Sequence, residues 1–103
     1  MYIKKAYIKK GVGGHLEEIV KGLLPKDTGY VEVQHDVSDH EHPTHTHPTD
    51  EILHVLEGSI YFTVEGNTTL CEAGDRIFLP KHTVHSSKAG PGGCTYVISI
   101  LKE

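Results

Sequence analysis

No basic run, no long apolar stretch and only two cysteines occur in these 103 residues. The formal net charge is −4, so the electrostatic footprint of a nucleic-acid binder is missing. Lys4, Lys5, Lys9 and Lys10 cluster near the start but are interleaved with Tyr2, Ile3, Ala6, Tyr7 and Ile8. That mixture reads as the solvated side of a strand rather than a binding arm. No segment approaches the ~20 apolar residues of a membrane helix, and the N-terminus has no signal-peptide apolar core. Cys71 and Cys94 are too few to imply a disulfide framework. Without an export signal they read as reduced, buried thiols in a cytoplasmic protein. At this length one domain, 1–103, with a single core is expected.

What is present is mostly strand pattern. Tyr2 to Ile8 has the β-prone residues of a first strand, broken by Gly11, Gly13 and Gly14. Leu16, Ile19, Val20, Leu23 and Leu24 follow helical spacing and predict one short amphipathic helix over His15 to Leu24. A turn over Pro25 to Gly29 ends it. The period then changes to two. Tyr30 to Val37 sets Val31, Val33, His35 and Val37 against Tyr30, Glu32, Gln34 and Asp36. Ile52 to Leu56 and Ser59 to Glu65 are further strands, the second forming a hairpin with Thr68 to Glu72 through Gly66-Asn67. Arg76 to Leu79 follows, and a Gly90-Pro91-Gly92-Gly93 break precedes a last strand, Cys94 to Leu101. Many short strands between such turns predict an all-β sandwich or barrel.

The chemistry lies in the histidines. There are nine, and five fall between His40 and His54. His45 and His47 stand two apart, so on one strand both rings share a face. Glu51 follows after enough chain to enter the next strand, and Leu53 and Val55 share its face. His85 would come in from a distant hairpin. Three neutral imidazoles and one carboxylate suit a divalent transition metal (Mn, Fe, Ni or Zn) and leave open positions on an octahedral ion. His54 is out of phase with Glu51 and is expected to face away. His40 and His42, before Pro43, could rim the cavity, hold a second weak metal or simply be solvated. Arg76 is a candidate contact for an anionic substrate.

These residues also carry a family resemblance. His45-Thr-His47-x3-Glu51-x6-Gly58 resembles the first cupin motif, and Gly74-x5-Pro80-x-His82-x2-His85 the second. The resemblance implies a cupin-type jelly-roll barrel (a double-stranded β-helix), with His45, His47, Glu51 and His85 as metal ligands. It also implies homodimer formation through N-terminal strands, here Tyr2 to Ile8. The chain departs from the family pattern at Asp39 and His82, where glycine is usual, and at Ala89, where asparagine is common. A turn at His82 is expected to need positive φ, which glycine takes freely and histidine more readily than most residues. His82 is either that turn residue or a proton shuttle beside the metal, the one candidate catalytic residue.

Fold alone does not choose the activity. Three readings follow. The first is a metal-dependent enzyme of dioxygenase, decarboxylase, isomerase or lyase type acting on a small oxygen-rich molecule. The second is a non-catalytic small-molecule-binding or sensory metal module, and the third a structural metal protein.

Overall fold

The computed structural model describes residues 3–25 and 28–102. In chain order the elements are β1 (Tyr7–Lys9), α1 (Leu16–Leu23), β2 (Thr28–Asp36), β3 (Glu41–His45), β4 (Asp50–Val64), β5 (Asn67–Glu72), β6 (Arg76–Leu79) and β7 (His85–Lys102). Among the described residues the strands form one antiparallel sheet, ordered β1-β6-β4-β7-β2, with β3 also on β7 and β5 also on β4. The architecture is the expected all-β barrel with one short helix.

Two long strands carry the barrel. β4 pairs with β7 along nearly its whole length, from Asp50↔Leu101 to Val64↔His85. On its other side β4 holds β6 with its first half and β5 with its second. β7 likewise holds β3 with its first half and β2 with its last. The sequence predicts strand breaks at Glu57-Gly58 and at Gly90 to Gly93, yet both strands run through. They bend instead, and the β4–β7 register shifts between Val55 and Glu57 and between Gly58 and Ile60. Gly58 (φ 77°) and Gly93 (φ 84°) take conformations that disfavour other residues. A Cβ on Gly58 would collide with the Gly93 carbonyl oxygen.

The first strand is shorter than predicted. Tyr2 lies outside the described residues, Ile3 to Ala6 are not strand, and only Tyr7–Lys9 pairs, with β6 of the same chain. The predicted turn over Pro25 to Gly29 falls partly outside the described residues, at 26 and 27. The helix forms where its spacing predicts and packs on the outside of the sheet. Ile19 and Leu23 join Ile3, Ile52, Val97 and Leu101 in one apolar cluster. A second cluster, including Leu53, Val55, Phe62, Ile77, Leu79 and Tyr96, fills the inside.

On β2 the polar half of the alternation turns to the cavity, through Glu32 and Gln34. Val33 and Val37 are 50% and 63% exposed, whereas Gln34 is half-buried and Asp36 is buried. The inner side of this strand borders a polar cavity rather than the core, so apolar alternation marks the outer side.

Candidate metal centre

His45 ends β3, and His47 lies just past it. The single strand expected to carry both therefore stops early. His47 precedes Pro48, which cannot donate to a ladder and restricts the residue before it. The two rings still converge. Their Nε2 atoms are 2.9 Å apart and the rings meet edge to face, centroids 4.6 Å apart. His85 opens β7 directly opposite His45 in the register, with its ring centroid 4.3 Å from that of His45 and 5.2 Å from that of His47. One ring nitrogen from each of the three lies within 4.8 Å of the others.

Backbone carbonyls orient two of these rings. His45 Nδ1 donates to Pro43 O at 2.5 Å, and His85 Nδ1 donates to Thr83 O at 2.8 Å. Each thereby turns Nε2, with its lone pair, to the cluster, the arrangement that outer hydrogen bonds impose on ligating histidines. Burial lowers the pKa of His47, helped by His45 and His85. Burial also lowers that of His85, against the Thr83 carbonyl and with the help of His45. Both therefore favour the neutral form, the one that binds metal.

Glu51 sits on β4 between Leu79 on one side and Ile100 on the other. It is 3% exposed, and its Oε2 is 3.4 Å from His47 Nδ1. It thus stands beside the three converging nitrogens rather than within the tight group they form. Burial pushes its carboxyl up to about 7. A divalent cation fits this donor set. Three imidazoles, two of them pre-oriented, face a buried carboxyl whose ionised form a nearby positive charge would stabilise.

The cluster opens on a cavity of about 360 Å³. Leu53, Phe62, Ile98 and Ile100 make its apolar side, and Leu53 follows Glu51 on one face of β4 as the sequence predicts. Glu32, Gln34 and Tyr96 add a polar wall that sequence reading missed. Tyr96 Oη donates to Gln34 Oε1 (3.1 Å) or Asp36 Oδ2 (3.3 Å). Burial, reinforced by Asp36, raises the pKa of this phenol. The signal for that wall is the polar half of the Tyr30 to Val37 alternation.

The remaining sequence-based candidates fall elsewhere. His82 is exposed, and its ring is not among the side chains lining the cavity. Its φ of 65° holds the turn, and its backbone N–H donates to the His47 carbonyl at 2.7 Å. It thus steadies the cluster through the main chain. Asp39, the other glycine-replacing position, also has positive φ, 63°. His54 faces away from the cluster, as its phase predicts, and is buried where Arg76 Nε donates to its Nδ1 at 3.1 Å. Arg76 is engaged there, outside the cavity lining, which corrects its reading as a substrate contact.

Comparison with known proteins places the fold. The cupin domain family profile matches residues 31–97. An RmlC-like cupin from Shewanella frigidimarina is 24% identical over 70% of this chain and 64% of its own, with a TM-score of 0.65. The present chain thus spans a little under two thirds of that protein. KdgF from Halomonas sp. is 18% identical over 77% of this chain and 74% of its own, TM-score 0.68. The polyketide cyclase RemF from Streptomyces resistomycificus is 25% identical over 70% of this chain and 53% of its own, TM-score 0.64. No curated protein matches the chain in sequence.

Proposed function

The chain belongs to the cupin domain family, and from that premise we propose a divalent-metal cupin that converts a small oxygen-rich molecule. His45, His47, Glu51 and His85 hold the metal in this reading. The observation that carries it is the convergence of three imidazole nitrogens within 4.8 Å on the wall of an open cavity, beside a buried carboxyl.

A bound divalent ion would supply Lewis acidity toward a substrate oxygen. The protein supplies the rest. Leu53, Phe62, Ile98 and Ile100 exclude water from one side of the substrate. Tyr96, kept protonated by burial and by Asp36 and aligned by Gln34 and Asp36, presents a fixed hydroxyl on the other. Lys102, 5.4 Å above the Tyr30 ring, places a cation at the rim that would favour an anionic or strongly polar substrate. The likeness to a polyketide cyclase is compatible with an oxygen-rich substrate. The same reading takes the chain as one domain in a reducing, cytoplasmic setting, consistent with two free cysteines. It also takes it as a homodimer, since β1 leaves one edge of the sheet unpaired among the described residues.

The test is metal analysis of tag-free protein after dialysis, with His47→Ala and His85→Ala beside it. One tightly held equivalent in the parent, lost in both variants, is expected. A substrate screen with iron, manganese and nickel then follows. That tightly held equivalent retained in the variants, or absent from the parent, would overturn the reading. Ligand binding without turnover would make the protein a sensory module instead.

A further inference from the structure

A second group of side chains of ligating type, Asp36, His40 and His42, adjoins the cavity, whose lining includes His42. Asp36 closes β2 and is buried, 6% exposed. His42 Nε2 donates to its carboxylate, at 3.0 Å from Oδ2 and 3.2 Å from Oδ1. The chain then doubles back through Asp39 (φ 63°), with the His40 N–H donating to Val37 O at 3.0 Å. Ala89 N–H donates to the His40 carbonyl at 2.9 Å, pinning the turn to β7. The result sets the His40 and His42 rings edge to face at 4.7 Å and 73°. This closely repeats the His45–His47 pair, at 4.6 Å and 83°. One ligand atom from each of Asp36, His40 and His42 lies within 4.8 Å of the others.

A hydrogen-bonding role explains part of this arrangement. Asp36, His42 and Tyr96 satisfy one another, but that leaves no reason for exposed His40 to be brought to the same point. Two imidazoles and one carboxylate are a donor set for a borderline divalent ion. A cation between His42 Nε2 and Asp36 would replace the proton they now share, and the carboxylate would offset part of its charge. Exposure on the His40 side would leave positions to water.

We propose that Asp36, His40 and His42 bind a second first-row divalent ion, zinc being the simplest probe, at the rim of the cavity. It is separate from the first group. His42 faces Ser87 and His45 faces His85 on β7, two residues or about 7 Å apart along that strand. The second ion is the weaker of the two, because His40 is exposed and must be ordered on binding.

The experiment is zinc titration by calorimetry on tag-free, metal-stripped protein. The parent, the His45→Ala/His85→Ala double variant, and that double variant with His40→Ala added are compared, with folding checked by circular dichroism. The double variant is expected to keep one zinc, and adding His40→Ala to weaken it at least tenfold. Equal binding with and without His40, or no zinc in a folded double variant while the parent binds one, would overturn the second site and leave the first intact. Should the double variant not fold, histidine-ring NMR of the parent decides the matter. His40 and His42 ring nitrogens are expected to shift as a second equivalent is added, and unchanged resonances would overturn the proposal.

Discussion

At the scale of single residues, the barrel depends on backbone positions where a side chain cannot be added. Gly58 faces Cys94 across the bend where β4 and β7 stay paired. Its φ of 77° and the Gly93 carbonyl against its missing Cβ leave Gly58→Ala no relaxed solution. Strain and overpacking together predict a loss of about 2–4 kcal/mol, read as a lower denaturation midpoint with an unchanged denaturant slope. Gly66, whose Cβ would meet nothing within 4 Å despite its φ of 85°, is the control that isolates the strain alone and should lose less. The two cysteines make a different prediction. Both are buried and free, and burial pushes Cys71 up to about 11 and Cys94 up to about 12. A thiol reagent at pH 8 should therefore find no reactive cysteine in the native protein and two per chain in denaturant. One fast-reacting native thiol would contradict the packing described.

At the scale of elements, Asp75 ties three segments together. Its carboxylate accepts from the backbone N–H groups of Gly11 (3.0 Å) and Glu72 (2.8 Å) and from Lys10 Nζ (2.5 Å). Its own carbonyl receives Val55 N–H at 2.9 Å. Burial alone would raise its pKa, but those donors outweigh it and hold the carboxyl below the usual range. Because the folded value is depressed, its contribution is complete above the ordinary carboxylate pKa and is lost as pH falls through the folded value. Asp75→Asn should thus destabilise the protein by about 1–3 kcal/mol at neutral pH and by progressively less below pH 4. A variant whose deficit is constant down to pH 2 would contradict this. The same scale shows what the sequence could convey. Helix α1 and the hairpin β4–β5 were legible because each repeats a local period. The continuity of β4 and β7 was not, since glycine in a strand marks both a break and a bend, and only the partner strand decides between them. The convergence of His45, His47 and His85 was legible because their spacing is itself a motif. The polar wall of Glu32, Gln34 and Tyr96 was not, because apolar periodicity assumes that the inside of a barrel is its core.

At the scale of the whole molecule, the sheet ends in edge strands that have one neighbour each among the described residues. With β1 on one sheet edge and Tyr7 stacked on Phe78 at 4.3 Å, a second chain could continue the sheet there. Light scattering at micromolar concentration should give twice the 11.4 kDa of one chain, and a monomeric mass would remove the dimer. The proposed metal centre belongs to the same scale, because its candidate ligands come from parts of the sheet that are distant in sequence. His45 and His47 come from β3 and the segment after it, Glu51 from the start of β4, and His85 from the start of β7. A cation held by all four would clamp these segments at one mouth of the barrel. Binding to the folded state alone stabilises it by about 2.7 kcal/mol at one hundred times the dissociation constant. In a domain of this size that corresponds to a rise of roughly 10–20 °C in Tm. Adding a chelator should reverse the rise in the parent and leave His85→Ala almost unaffected. An equal loss in both would mean that the stabilising ion sits somewhere other than this cluster, and the second group on the rim would then be the first place to look.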